Sequence, residues 1–434
     1  MQFNACSCVE PVAAHLRSPQ GSCAVTRLLF LGLNFAPEEI GVGHYSTQLV
    51  EHWLGHGHEA TIVAAKPYYP QWHTWPGYKA GWQSGAHGAA RICRCPIYVP
   101  SKPTGFRRIV HYATFGLSAF FPAITAAIRT RPDIVMTVAP SLLAAPIALV
   151  AAKVCGARSW LHVQDFEVQA AFATGLLGDS GFIARLAKRF ERWTFGKFDT
   201  VSTISSQMCK RLAQNDVQQD RIVEMRNWAD LDQISPLSAP SSYRERWAVK
   251  TPHVALYSGN IANKQGLDLI IDAARILKDR KDLTFVICGN GSDRSALEER
   301  SGSLPNVQFH DLQPRAELGE LLGLATIHLL PHLERAADLM LPSKLANMLA
   351  SGRPVVATAV EGTGLSQEVE GVGLVTPPRD ADAFASAIVT LMEDPALHSR
   401  FSAAARLRAE TRWNKQEILA PFMEAAGVPR LAKR

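Results

Sequence analysis

Short apolar runs rich in Val, Ile and Leu recur along this chain of 434 residues, and each is followed by a stretch with helical spacing. That alternation implies parallel sheets with helices on both faces, because parallel strands need a crossover and the crossover is usually a helix. The pattern predicts strands over Leu28–Leu33, Ala60–Ala65, Ile134–Val138, Ser159–Val163, Thr200–Ile204 and Ile222–Met225. It then restarts, over His253–Ser258, Thr284–Cys288, Val307–His310, Ile327–Leu330, Pro354–Ala357 and Gly373–Val375. Between the two series lies Leu231–Ser242, which holds Pro236, Pro240 and four serines, a composition suited to an interdomain linker. The expected fold class is α/β, with two doubly wound, Rossmann-like domains facing a cleft. Residues 1–26 form an extension, 27–235 a first domain, 236–410 a second, and 411–434 a terminal helical segment.

Composition bounds the function classes. A net charge of +6 without any long Lys/Arg run suits anionic small substrates or an anionic membrane surface and argues against nucleic acid. The eight cysteines are scattered and mostly flanked by apolar residues, and their Cys-x-Cys pairs lack zinc spacing, so they read as reduced thiols. Residues Met1–Thr26 show neither a basic n-region nor an apolar h-region. Together these features predict a cytoplasmic protein.

Several loops carry candidate chemistry. The segment Leu341–Thr358, LPSKLANMLASGRPVVAT, is a short helix and a buried strand joined by Gly352, Arg353 and Pro354. Pro342 and Ser343 are start signals. Lys344, Asn347 and Ser351 fall on one stripe, as expected of a helix whose N-terminus and polar side face an anionic, polyhydroxylated ligand. Gly41 and Gly43, in Pro37–His44, sit between a strand and a helix carrying Tyr45, Leu49 and Trp53. Glycines there let backbone N–H groups approach a phosphate or an acceptor hydroxyl; a plain tight turn is the alternative. In Gly259–Gly266, GNIANKQG, Lys264 lies near a helix N-terminus, where its charge and the dipole can address a diphosphate; a solvated turn lysine is the alternative. Gly289, Asn290 and Gly291 bend the chain after a core strand. His162, Asp165 and Glu167 follow a strand of the first domain, which should aim them into the cleft; His162 sits within the strand, where a satisfied core histidine is the alternative. Asp230/Asp232 and Asp380/Asp382 are formally D-x-D, but they fall in the linker and at a helix start, where aspartate caps. Both pairs read as structural, and no metal site is expected.

Six segments in order resemble the retaining, family-four glycosyltransferases, nearest the branch that serves colanic acid biosynthesis. They are NFAPEEIGVGHYSTQLVEHWLGHGHEATIV (Asn34 to Val63), WLHVQDFEVQAAF (Trp160 to Phe172), RNWAD (Arg226 to Asp230), YSGNIANKQGLDLII (Tyr257 to Ile271), CGNGSDR (Cys288 to Arg294) and Leu341–Thr358. The resemblance implies the GT-B architecture, with the terminal helix crossing back onto the first domain. It implies a nucleoside-diphosphate sugar as donor, a lipid-linked or oligosaccharide acceptor in exopolysaccharide assembly, and neither cofactor nor metal. Lys264 would neutralise the diphosphate. Asn260 stands where relatives often have an arginine, which leaves Lys344 or Arg353 to share that load. In the family's Glu-x7-Glu signature the second position, which holds the ribose, is Asn347 here. The first is Leu339, with Asp338 or Glu334 near enough to substitute. Gly289 and Gly291 would pass the base through backbone contacts, while Asp165 or His162 would contact the reacting region of the sugar. A nucleotide-sugar epimerase of the same fold stays open, as does a catalytically degenerate nucleotide-sugar binder. The former should need more carboxylates and histidines than are seen, and the latter is suggested by the missing signature acids.

Finally, Lys102, Arg107 and Arg108 precede an apolar stretch, Ile109–Ile128, and Arg129 and Arg131 follow it. At about 20 residues it has the length of a membrane span. His111, Tyr112, Ser118 and Pro122 interrupt it, and it lies inside an α/β domain. A buried helix and peripheral docking on the anionic inner membrane both fit.

Overall fold

The computed structural model describes residues 25–102, 104–168, 181–262, 265–333 and 342–425. Strands β1 (Arg27–Gly32), β2 (Glu59–Ala65), β3 (Gln83–His87), β4 (Ala90–Cys95), β5 (Ile134–Ala139), β6 (Arg158–Val163), β7 (Thr200–Thr203) and β8 (Ile222–Glu224) build one sheet in the order β3-β4-β2-β1-β5-β6-β7-β8. A second sheet, ordered β11-β10-β9-β12-β13-β14, holds β9 (His253–Ser258), β10 (Leu283–Cys288), β11 (Val307–His310), β12 (Ile327–Leu330), β13 (Val355–Thr358) and β14 (Gly373–Thr376). All pairings are parallel except β3 with β4. The doubly wound α/β architecture expected from the apolar runs is thus present in both halves.

The hairpin β3–β4 was not expected. β3 (QSGAH) is an edge strand with no buried residue, and β4 (ARICRC) interleaves arginines with its apolar positions. Neither reads as a buried run, because neither is covered on both faces.

Six helices bear on the site: α1 (Val42–Gly55), α2 (Gly105–Thr130), α3 (Ala145–Cys155), α4 (Phe182–Lys197), α5 (Ser343–Ala350) and α6 (Lys415–Ala425). Strand alternation sorts the first core into two layers. Leu29, Leu31 and Val135 face one way and pack with Phe115, Ala119 and Ala123 of α2 and Ala148 and Ala151 of α3. Leu28, Phe30 and Met136 face the other way, onto Leu49 and Trp53 of α1. The same layer takes Leu419 and Phe422 of α6, so this helix, although it follows the second domain, is buried in the first. The Phe422 ring lies 5.1 Å from those of both Trp53 and Trp160.

The chain passes between the domains twice, near Ala229 and near Trp413. The two passages are joined by a hydrogen bond from the Ala229 N–H to the Trp413 carbonyl, 2.8 Å. Arg226 adds an ion pair to the buried Glu368 at 2.7 Å, and Arg412 reaches the same carboxylate at 2.7 Å. These contacts fix the hinge side of the cleft.

Candidate functional site

In a doubly wound sheet, ligands bind beyond the C-terminal strand ends where the strand order reverses. In the second sheet that point lies between β9 and β12. β9 runs out into Gly259, at φ 144°. The neighbouring strand β10 runs out into Gly289, whose N–H donates to the His310 carbonyl at 2.9 Å. The two loops lie so close that a Cβ on Gly289 would overlap the carbonyl oxygen of Gly259, and one on Gly291 would overlap that of Ile261. Hydrogen bonds from the Gly259 N–H to the Cys288 carbonyl (2.9 Å) and from the Ile261 N–H to the Asn290 carbonyl (3.0 Å) lace them together. Asn260 sits in this lacing, its side-chain oxygen 2.8 Å from where a Gly291 Cβ would stand. Arg294 braces the second loop, donating to the Gly289 carbonyl at 3.0 Å and to the Asn290 side chain at 2.6 Å.

Lys344, in the first turn of α5, lies across this cradle. Its methylene stem occupies the space that a Gly259 Cβ would need. Its ammonium donates to the Tyr257 hydroxyl and stands 4.2 Å from the centre of the Tyr257 ring. The Tyr257 hydroxyl in turn donates to the Asn260 carbonyl at 2.6 Å. A cation held over a glycine turn beside a helix N-terminus can stabilise charge on a diphosphate.

Two expectations for this segment need correction. The polar stripe does not face the cleft along its whole length. Ser351 is fully buried, bonded to His328 Nε2 at 2.9 Å and to the Met348 carbonyl at 2.7 Å. Nor does Arg353 share the load with Lys344. It immediately precedes Pro354 and β13, at the N-terminal edge of a parallel sheet whose C-terminal edge carries the cradle. Asn347 is half-buried, and its side-chain oxygen accepts the Asp230 N–H at 3.2 Å, while its amide N–H groups meet no acceptor among the described residues. Lys264, Glu334, Asp338 and Leu339 lie outside the described residues.

The opposing wall is the loop after β1. Gly41, at φ 62°, has open space where its Cβ would be, while Gly43 packs against the Glu38 carbonyl. Glu38 is buried beneath the loop and accepts the N–H groups of Tyr68 and Tyr69 at 2.7 and 2.8 Å and the Asn34 amide at 2.8 Å. Burial pushes its carboxyl up, against these hydrogen bonds. Next to Gly43, His44 accepts a hydrogen bond at Nε2 from Arg315 of the second domain, 2.8 Å. Arg315 also pairs with Asp230 at 3.0 Å. Burial, then the Arg315 charge, lowers His44 to about 3, so it is neutral and Nε2 is free to accept. Tyr45 lies within hydrogen-bonding reach of Ser343 at the start of α5. Residues 44 and 45 thus touch the second domain. Neither His44 nor Arg315 was singled out from sequence; His44 is marked only by following the glycine pair, and Arg315 by nothing.

Deeper in the first domain, His162 is 4% exposed and within β6. The Ser202 hydroxyl accepts from Trp160 Nε1 at 2.7 Å and lies 2.9 Å from His162 Nδ1. Burial holds its pKa near 3. Asp165, half-buried, lies just past the strand end, near the half-buried Glu167 and the buried Glu191. Glu167 accepts the N–H groups of Ser141 and, at 2.6 Å, Leu142. Burial raises Glu167 to about 7, and Asp165 adds to the shift while Arg108 opposes it. Burial likewise raises Glu191 to about 7. Arg108, from the first turn of α2, donates to Tyr112 at 2.9 Å and faces this acidic group.

Residues 41–228 match the family model for a glycosyl transferase 4-like domain, and residues 252–394 match that for glycosyl transferases group 1. Over 407 residues, 92% of this chain and 98% of the relative, the sequence is 36% identical to a protein of Escherichia coli K12 named as the colanic acid biosynthesis glycosyl transferase WcaI. The chain belongs to this glycosyltransferase family. Solved structures agree on the fold. A sucrose-phosphate synthase of Thermosynechococcus elongatus superposes with TM-score 0.71 at 16% identity, covering 92% of this chain and 98% of its own. Anabaena Alr3699/HepE, solved with UDP and glucose, gives 0.66 at 14% identity, covering 93% and 99%. The glycosyltransferase therefore has the GT-B fold, and the loop carrying Gly43 and His44 meets the second domain through Arg315. Its D-x-D pairs are built into structure: Asp230 holds Arg315, and Asp380 caps a helix by accepting the Ala383 N–H at 2.8 Å.

Proposed function

We propose that this glycosyltransferase transfers a hexose with retention from a nucleoside-diphosphate sugar to a lipid-linked acceptor in exopolysaccharide assembly. The observation that carries the reading is Lys344 lying over the interlocked Gly259 and Gly289 turns, which forms a cationic seat at the switch point of the second sheet. The 36% identity to WcaI across nearly the whole chain supports the pathway class, and the UDP and glucose bound to HepE support the donor class.

As the sugar–diphosphate bond breaks, negative charge grows on the leaving oxygen. Lys344, Lys264, the Asn260 amide and the α5 N-terminus would stabilise it, without a metal. Asn347 would donate to the ribose. The acceptor hydroxyl would enter from the side of Asp165 and Glu167, attack the anomeric carbon on the face that the diphosphate leaves, and pass its proton to a diphosphate oxygen. No protein nucleophile is then needed.

The outer side of the first domain supports a membrane-borne acceptor. α2 is not a free span: Phe115, Ala119, Ala123 and Ala127 are fully buried in the core. Its other face exposes Phe106, Leu117, Phe121 and Ile128, and α4 exposes Phe182, Ile183 and Leu186 among Arg185, Arg189 and Arg192. An apolar face edged with cations suits an anionic leaflet, which supports a reading of peripheral docking on the cytoplasmic side of the inner membrane. Arg108 is not part of that edge, because it turns inward to Tyr112.

A nucleotide-sugar panel read by thermal shift identifies the donor, since a ligand of the native state raises its apparent stability. Product analysis with and without a lipid-diphosphate-linked sugar then decides. Transfer only with acceptor, and an unchanged anomeric configuration by NMR, is the expected result. Conversion of the donor sugar without acceptor would instead identify an epimerase, and an inverted product would overturn retention.

A further inference from the structure

At the N-terminal edge of the second sheet, remote from the cleft, an open groove of about 460 Å³ is lined by the linker Leu237–Ser241, by Arg244, by Thr326 and by Arg353. Pro252 and Thr326 precede β9 and β12, and Arg353 precedes β13, so the groove and the Lys344 cradle lie at opposite ends of the same parallel strands. The linker is pressed onto the domain here: a Cβ on Gly323 would overlap Leu237.

The two arginines differ in their bonding. Arg244 is fixed, donating to the Thr251 carbonyl at 2.7 Å and the Pro252 carbonyl at 2.9 Å. Arg353 has no hydrogen-bond or ion-pair partner among the described residues, and its Nε is shut off from solvent with no acceptor. No carboxylate pairs with either guanidinium among those residues. Glu320, on the helix that ends at Gly323, is taken up by the Ser242 N–H at 3.1 Å and the Ser242 hydroxyl. Burial, then the charge of Arg244, pushes Arg353 below its ordinary value, which is the cost of holding two cations on one wall without an anion. Arginine is suited to paired hydrogen bonds with a tetrahedral oxyanion, and an unpaired donor of this kind is expensive to retain without a ligand.

We propose that the groove is a phosphate site, in which Arg353 and Arg244 bind inorganic phosphate or the phosphate group of a phosphorylated sugar. The bound anion would tie the linker to the second domain. The site is separate from the diphosphate seat and goes beyond the function proposed above.

The test is the unfolding temperature of the full chain in inorganic phosphate, in a hexose phosphate, and in sodium chloride at matched ionic strength. The expected result is a rise of several degrees with a phosphate compound and none with chloride. The rise should vanish in Arg353→Gln and persist in Lys344→Met, whose lesion is in the cleft. Response to hexose phosphate alone identifies a phosphorylated sugar as the ligand, and response to inorganic phosphate identifies the free ion. Because Arg353 bonds to none of the described residues, Arg353→Gln should unfold at the wild-type temperature without ligand. If it does not, calorimetry on Arg353→Lys, which keeps the charge and loses the guanidinium fork, should show at least tenfold weaker phosphate binding. No rise in wild type, an undiminished rise in Arg353→Gln with wild-type affinity in Arg353→Lys, or a rise abolished by Lys344→Met would each overturn the proposal.

Discussion

Arg315 of the second domain donates a 2.8 Å hydrogen bond to Nε2 of His44 in the first, while pairing with Asp230 of the linker at 3.0 Å. One side chain thus ties together both walls of the cleft and the strip between them. A neutral histidine is required for this, and burial supplies it. Arg315→Met should leave the unfolding temperature within a few degrees of wild type, because each domain keeps its core. It should lower kcat/KM by about 100-fold, the scale for reacting groups displaced by an ångström. Steady-state kinetics beside a thermal melt checks both halves, and unchanged kcat/KM would remove the tie from the mechanism.

The glycines of the two walls should respond differently to alanine. Gly289→Ala drives a methyl into the Gly259 carbonyl, so the cradle must open. Nucleoside-diphosphate affinity should fall by at least tenfold. Gly41→Ala meets no atom within 4 Å and carries only the cost of φ 62°, about 1 kcal/mol, with nucleotide affinity unchanged. Calorimetric titration of the nucleoside diphosphate into both variants separates the two cases.

Lys344→Met should lower kcat by about 100- to 1,000-fold, the effect of losing one preorganised donor to developing charge. Tyr257→Phe, which removes only the hydroxyl that holds the ammonium, should cost less. Lys264→Ala is expected to match Lys344→Met. Single-turnover rates with acceptor in excess measure the chemical step, and wild-type rates in a folded Lys344→Met would take the cradle out of catalysis.

Glu167 predicts a pH signature. Its folded value, about 7, lies above the ordinary 4.5 because the carboxyl is buried. The folded state therefore holds a proton that the unfolded state releases between those values. Its contribution is fully present below about 4.5 and is lost as pH rises through about 7. Relative to wild type, Glu167→Gln should gain stability on going from pH 5 to pH 8, by up to about 3 kcal/mol. Denaturant unfolding of both proteins across that range tests the slope, and parallel curves would contradict it.

For the membrane face, Leu117→Asp with Phe121→Asp should abolish co-sedimentation with vesicles containing anionic lipid, as should Arg185→Glu with Arg189→Glu. Turnover on a soluble acceptor analogue should be unaffected. Arg108→Glu should instead damage turnover, because its guanidinium faces Glu167 rather than the leaflet. Equal binding of wild type to neutral and anionic vesicles would refute electrostatic docking.

The sequence by itself determined the two doubly wound sheets and the glycine turns, because strands covered on both faces must be apolar throughout and a close backbone approach excludes a Cβ. The buried runs such as Ile134–Val138 and His253–Ser258 could be read directly, as could Gly259, Gly289 and Lys344. The edge hairpin β3–β4 could not, since one-sided cover imposes no such pattern. Tertiary structure alone decided which polar residues share the cleft. Helical spacing put Ser351 on the stripe of Lys344 and Asn347, but the neighbouring strand β12 presents His328 there and buries the serine. Arg353, nine residues beyond Lys344, lies at the far edge of the sheet because one short helix spans the layer between them. Arg315 and His44 are 271 positions apart, and nothing local to either marks the other. Spacing along a chain reports the face of one element; contacts between elements follow from how two domains pack, and that depends on surfaces drawn from the whole molecule.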